Sequence, residues 1–113
     1  MIEVVTSIKA VSDELRIRIL LLLDDREACV CELMEVFHMA QSKLSHHLIT
    51  LRDAGFLQDE RRGKWNFYRV NSKALNRVNR NLLSSLSEWA EASMIQRDKD
   101  ALKNAKERLH CDT

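Results

Sequence analysis

Two cysteines separated by one residue, Cys29 and Cys31, are the most reactive feature of this sequence. Soft metal and metalloid ions prefer thiolate ligands, so a Cys-Val-Cys segment favours binding of such an ion. A third cysteine, Cys111, stands near the end of the chain and is a further candidate ligand. No charged and then apolar leader opens the sequence, and three cysteines are an odd number. We therefore expect free thiols rather than disulfides, and a cytoplasmic location.

Regular secondary structure would keep the thiols of Cys29 and Cys31 apart. On a helix, residues i and i+2 point about 200° apart, and on a strand they point to opposite faces. We therefore expect that an ion held by both sulfurs loosens the first turn of the helix that begins there.

The composition predicts one mainly helical domain. The chain has 113 residues, of which 45% are hydrophobic and 31% are charged, with two glycines and no proline. This composition provides enough apolar surface for one core. It has few of the glycine and proline residues that β-sandwiches and phosphate-binding loops need. The longest unbroken apolar run, residues 19–23, is too short to cross a membrane. We expect no membrane partner.

Apolar residues at helical spacing predict four helices in the first half of the chain. They cover about residues 2–11, 13–23, 30–37 and 41–53. Ser12 is the predicted N-cap of the second helix, and Gly55 is the predicted end of the fourth. The inner face of the fourth helix holds Leu44, His47, Leu48 and Leu51.

The second half of the chain predicts a hairpin and then helix. Between residues 56 and 70 the apolar period changes to two, around a turn at Gly63, which is typical of a β-hairpin. Helical spacing returns from Ser72 and continues weakly to Leu109. One straight helix of that length would measure about 57 Å. Because this exceeds the diameter of so small a domain, the helix must bend, overhang or pack on a partner.

The order of these elements is typical of a winged helix-turn-helix, mainly α with a two-stranded β-wing. Residues 41–69 carry six Lys or Arg against three Asp or Glu, whereas residues 1–40 carry four against eight. We expect the fourth helix to read bases of double-stranded DNA and the hairpin tip to contact phosphates. The candidate DNA-binding residues are Gln41, Ser42, Lys43, Ser45, His46, His47, Arg61, Arg62 and Lys64.

Residues 8–70 resemble the ArsR/SmtB family of winged-helix metalloregulatory repressors, and most closely its arsenite-responsive members. The segments that carry the resemblance include Ala28-Cys29-Val30-Cys31-Glu32-Leu33, Gln41-Ser42-Lys43-Leu44-Ser45-His46-His47-Leu48 and Gly63-Lys64-Trp65-Asn66-Phe67-Tyr68-Arg69-Val70. The resemblance implies a homodimer, formed by the first and last helices, that represses its own operon. It also implies no constitutive cofactor, and an inducer, As(III) or Sb(III), that releases the repressor from operator DNA.

One position departs from the arsenite-responsive pattern. Met34 stands where that pattern has a third cysteine, and a thioether is a poor ligand for As(III). The third ligand is then Cys111, a small thiol or water. Zinc and nickel sensors of the family carry Asp/His pairs on the last helix, and residues 72–109 contain no histidine. The alternatives are a sensor of Cd or Pb, a sensor of thiol oxidation and, remotely, a small thiol oxidoreductase. We expect that the protein is not an enzyme.

The predicted organisation has two parts. Residues 1–93 form the DNA-binding and dimerisation domain, and residues 94–113 form a charged helical extension that carries Cys111. The last helix has more apolar surface than one small domain can cover, which predicts a dimer. The residues of that surface are Leu75, Val78, Leu82, Leu86 and Trp89, with Ile2, Val5 and Ile8 added from the first helix.

Overall fold

The computed structural model describes residues 1–111, and over this range it contains six helices and a three-stranded antiparallel sheet. The helices are α1 (Ile2–Ala10), α2 (Glu14–Leu23), α3 (Val30–Phe37), α4 (Gln41–Asp53), α5 (Arg77–Trp89) and α6 (Ala92–Leu109). The strands are β1 (Ala28–Cys29), β2 (Gln58–Arg62) and β3 (Trp65–Arg69). Among the helices of this described range, none is both long and apolar enough to span a membrane.

Helix α2 forms the centre of the core. Residues 19–23 at its C-terminal end are all buried, as a helix that is apolar on every side requires. The sequence prediction of the cap before this helix was wrong. Asp13 is the N-cap, because its extended backbone lets the carboxylate accept the N–H of Arg16 at 3.1 Å. Ser12 instead donates to the carbonyl of Lys9 and closes α1.

Helices α3 and α4 confirm the predicted helix-turn-helix. The turn between them covers residues 38–40 and starts at His38, which adopts the left-handed conformation with φ 52°. Helix α4 ends at its C-cap, Ala54, and Gly55 follows with φ 88°. The N–H groups of Gly55 and Phe56 donate to the carbonyls of Arg52 and Leu51, a Schellman ending that turns the chain into the hairpin.

The sheet has one strand more than the two-stranded wing that the sequence predicts. Strands β2 and β3 form the wing, joined by a two-residue turn that begins at Gly63 with φ 59°. Strand β1 adds to the other edge of β3 and pairs Ala28 with Tyr68 and Cys29 with Phe67. A two-residue strand is too short to show a period of two, so the pattern did not reveal it.

The final helical region bends rather than overhangs. Ala90 and Glu91 have extended backbones, with ψ 148° and 123°, and separate α5 from α6. Helix α6 returns over the domain, so that Leu102 and Ala105 are buried in the main core against α2 and α3. The longest dimension of the molecule is consequently 42 Å. The predicted boundary between residues 93 and 94 falls inside α6.

Candidate metal centre and nucleic-acid interface

Three thiols meet where β1, α3 and the end of α6 come together. The Sγ of Cys31 lies 2.7 Å from that of Cys29 and 2.8 Å from that of Cys111. All three sulfurs lie within 4.8 Å of one another, and all three cysteines are free. Cys29 and Cys111 are each only 1% exposed, and Cys31 is half-buried. This is the ligand set that a soft ion with three sulfur ligands requires.

The strand-to-helix junction brings Cys29 and Cys31 together without any unwinding. Cys29 is the N-cap of α3, with φ −85° and ψ 163°, whereas Cys31 already lies in the first helical turn. The expectation that regular structure keeps these two thiols apart was therefore wrong, because the two cysteines belong to different kinds of backbone. A capping box fixes the junction: Cys29 Sγ accepts the N–H of Glu32, and Glu32 Oε1 accepts the N–H of Cys29 at 2.9 Å.

Helix α6 delivers Cys111 to the pair. The helix ends at Leu109, and His110 takes the left-handed conformation, which turns the chain back towards α3. Two ion pairs fasten α6 to α3: Lys106 Nζ lies 3.0 Å from Glu32 Oε1, and Arg108 pairs with Glu35. Cys29 and Cys111 also share a small apolar cluster with Phe67 of the wing.

Burial raises the pKa of Cys29 and Cys111 and favours their protonated thiols at neutral pH. It raises the pKa of Cys29 well above the ordinary value, and contact with Cys31 raises it further. The same two causes raise the pKa of Cys111 to about 11. Neutral thiols can still react with arsenious acid: three S–H groups replace three hydroxides, three As–S bonds form, and the protons leave in three waters. No electrons are transferred in that exchange.

Met34 is half-buried and packs against the main core. It also lines a pocket of about 240 Å³ beside the thiols. The remaining lining residues come from α3, the tip of α4 and the wing: Cys29, Val30, Cys31, Gln41, Arg61, Lys64, Trp65 and Asn66. Three of the predicted DNA-binding residues therefore form part of the wall of the thiol pocket.

The exposed side of α4 carries most of the candidate base-reading residues. Gln41, Ser42, Lys43 and His46 are exposed, and Ser45 is half-buried. His47 lies on the opposite, buried side, where its Nδ1 is 3.3 Å from Nη1 of Arg16. His47 therefore connects α4 to α2 and does not lie on the outer face of α4. The other five candidate residues of this helix remain on the outer face.

The three cations of the wing have different surroundings. Arg61 and Lys64 are exposed at the tip, where Arg61 donates to the carbonyl of Gly63 and Lys64 lies over the ring of Trp65. Arg62 makes a two-point ion pair with Glu27 at 2.7 and 2.8 Å, pairs with Glu60, and lies over the ring of Phe67. Arg62 thus ties the wing to the segment before β1, whereas the other two cations are available to phosphates.

No role was predicted for Glu32 or Phe67, which hold the thiol site in place. The spacing of a capping residue and a glutamate three positions later is a signal for Glu32, but cysteine is not a usual cap. No local signal identifies Phe67, because its contact with Cys29 depends on the pairing of β1 with β3.

A helix-turn-helix followed by a wing places this chain in the class of winged-helix transcriptional regulators. Residues 13–59 match the family described as bacterial regulatory protein, arsR family. The chain is 35% identical over 92 residues to the arsenic resistance transcriptional regulator ArsR1 of Pseudomonas putida, an alignment that covers 78% of this chain and 72% of that protein. The chain belongs to the arsR family.

Two further comparisons agree with this assignment. The arsenic resistance transcriptional regulator ArsR2 of Pseudomonas putida is 42% identical over 85 residues, covering 72% of this chain and 74% of that protein. Among solved structures, reduced HlyU from Vibrio cholerae superposes with a TM-score of 0.66 at 29% identity, covering 79% of this chain and 90% of that chain. The resemblance seen in the sequence is confirmed at the level of family and fold.

Proposed function

We propose that this protein is a cytoplasmic repressor that leaves its operator DNA when As(III) or Sb(III) binds to Cys29, Cys31 and Cys111. One observation carries the proposal: three thiols, of which one is 80 residues away from the others in sequence, meet within 4.8 Å in a buried site. The names of the two Pseudomonas relatives, which refer to arsenic resistance, support the choice of inducer. The thiols serve as a sensor and not as an enzyme's redox centre.

The same geometry supports a route from the thiols to DNA. Cys29 pairs with Phe67 of β3, and the pocket beside the thiols is lined by Gln41 of α4 and by Arg61 and Lys64 of the wing. A metalloid bonded to all three sulfurs must move Cys31 Sγ away from its neighbours, which lie at 2.7 and 2.8 Å, and this movement shifts β1 and the start of α3. The wing and the N-terminus of α4 then move relative to each other, so that they no longer contact the DNA at the same time.

The repressor acts as a homodimer in this proposal. Helix α1 exposes a row of apolar side chains at helical spacing, Ile2, Val5 and Ile8, and Ile2 is 83% exposed. Trp89 at the end of α5 is also exposed. Burying this surface against a second copy would place two α4 helices on one DNA duplex, with residues 1–93 as the DNA-binding and dimerisation domain and residues 94–113 as the extension that completes the sensor. Sedimentation of the protein as a monomer at micromolar concentration would contradict the proposed dimer.

The test is release of a labelled promoter fragment, from upstream of the protein's own gene, by arsenite under reducing conditions. Fluorescence anisotropy follows the release. Cys29→Ser and Cys31→Ser should bind the fragment as the wild type does and fail to release it, because a hydroxyl keeps the volume but not the soft ligand. Met34→Leu is the matched control. It removes the thioether sulfur that lines the pocket, and its response to arsenite should equal that of the wild type.

Other outcomes identify the alternatives. Release by cadmium or lead at lower concentration than arsenite would make the protein a sensor of soft divalent ions. Release by peroxide alone, reversed by dithiothreitol, would make it a sensor of thiol oxidation. If both cysteine variants released the DNA at the wild-type arsenite concentration, the thiol site would not be the sensor.

A further inference from the structure

We propose that Glu32 makes the thiol site selective for trivalent metalloids over soft divalent ions, because it disfavours a bound complex that keeps a net negative charge. The inference rests on the proposed function, since it concerns the ion that the same three sulfurs hold. It adds a specificity-determining residue that makes no bond to the ion.

The two classes of ion leave different charges in the site. Three thiolates with As(III) or Sb(III) form a neutral complex, whereas three thiolates with Cd(II) or Pb(II) form a complex of charge −1. The ligands Cys29 and Cys111 are buried, so an uncompensated charge is poorly solvated there. Burial alone therefore favours the trivalent ion, and any negative charge next to the sulfurs increases the preference.

Glu32 supplies that negative charge. Its Oε1 accepts the N–H of Cys29, and its own N–H donates to Cys29 Sγ. The carboxylate therefore lies beside the backbone of one of the three proposed ligands. Its electrostatic field therefore acts next to Cys29, whose Sγ lies 2.7 Å from the Sγ of Cys31.

Lys106 reduces this field only in part. The side chain of Glu32 is 3% exposed and that of Lys106 is 38% exposed, so water screens the ammonium more than the carboxylate. Arg61 and Lys64, on the wall of the pocket, are exposed and screened in the same way. Because Glu32 is the better buried member of the pair, its charge should act on the sulfurs more strongly than that of Lys106, and removing Glu32 should change the selectivity in the opposite direction to removing Lys106.

The experiment measures arsenite and cadmium binding to the full-length, reduced protein by equilibrium dialysis with elemental analysis. The readout is the ratio of the two dissociation constants. Glu32→Gln keeps an oxygen for the N–H of Cys29 but loses the charge, and it should shift the ratio towards cadmium by at least about tenfold. Lys106→Gln leaves the carboxylate unpaired and should shift the ratio towards arsenite.

The matched control is Glu35→Gln, which breaks the other ion pair between α3 and α6, that with Arg108. Looser docking of α6 weakens both ions alike, so this variant should leave the ratio unchanged. The inference is overturned if Glu32→Gln leaves the ratio within twofold of the wild type, or if Lys106→Gln shifts it in the same direction. The second variant decides the matter if the first does not fold. Failure of the wild type to bind arsenite would overturn the proposed function itself, and this inference with it.

Discussion

The Sγ of Cys31 contacts the Sγ of Cys111 at 2.8 Å, across 80 residues of sequence. The third thiol is therefore present only while α6 is docked on α3, where the ion pairs of Lys106 and Arg108 hold it. An ion bound to all three sulfurs stabilises the docked state by mass action, because it binds that state and not the undocked one. In the proposed function, ion binding and docking of the last helix are thus coupled.

The exposed cations of the wing should contribute affinity and not sequence preference. We expect Arg61→Ala and Lys64→Ala each to weaken binding to promoter and unrelated DNA equally, and to lower the salt dependence by about one counterion. Titrations at several salt concentrations measure this slope.

Arg62→Ala is the matched comparison in the same hairpin. Its guanidinium is already paired with Glu27 and Glu60, so its loss should leave the slope unchanged and lower the free energy of unfolding slightly. A slope that falls by one for Arg62→Ala and not for the other two would show that the ion pair opens on DNA.

The outer face of α4 should carry the sequence preference. Ser45→Ala or His46→Ala should cost about 1 to 3 kcal/mol of binding free energy on the promoter fragment and little on unrelated DNA, because each removes a contact to base edges. Competition between the two DNAs gives both values. Lys73→Ala, an exposed cation outside α4 and the wing, is the control. Equal losses on the two DNAs would mean that α4 does not read bases.

The fold indicates which parts of a winged helix a single sequence predicts and which it does not. The helix-turn-helix was predictable because Leu44, Leu48 and Leu51 repeat at helical spacing on a helix of thirteen residues, long enough to show the pattern. The hairpin was predictable because its turn uses Gly63. Both depend on neighbours within a few positions.

The missed features depend on contacts between distant residues. Strand β1 exists because β3 pairs with it, and the break at Ala90 follows from the burial of Leu102 and Ala105, without a glycine or proline to mark it. The thiol geometry was misjudged for the same reason. Cys29 lies in the strand and Cys31 in the helix, so neither regular period describes both.

A buried asparagine joins three parts of the chain. Asn79 accepts the hydroxyl of Ser7 at 2.5 Å and donates to the carbonyl of Ala54 at 2.8 Å. Asn79→Ala should lower the free energy of unfolding by about 2 to 4 kcal/mol, because it leaves the buried hydroxyl of Ser7 unsatisfied and removes the hydrogen bond to the half-buried carbonyl of Ala54. Urea denaturation measures the change. Asn81→Ala, an exposed asparagine on the same helix, should change it by less than about 0.5 kcal/mol, and an equal loss would contradict the argument.

The buried His47 predicts a pH dependence of stability. Burial lowers the pKa of His47 below its ordinary value of 6.5; Asp13 opposes this, and Arg16, His46 and Lys43 add to it. The unfolded chain therefore binds a proton first, so stability is lost as the pH falls below about 6.5. Between pH of about 7.5 and about 5.5, the wild type should lose more free energy of unfolding than His47→Gln, as urea titrations would show. A larger loss of free energy of unfolding in His47→Gln than in the wild type would contradict this prediction.

In the proposed function, one chain supplies three sulfurs to one trivalent ion. X-ray absorption at the arsenic K-edge, on the reduced protein loaded with one arsenite per chain, counts these ligands directly. We expect three sulfur neighbours and no oxygen in the wild type, and two sulfurs with one oxygen in Cys111→Ser. Two sulfurs and one oxygen in the wild type, unchanged in Cys111→Ser, would contradict it.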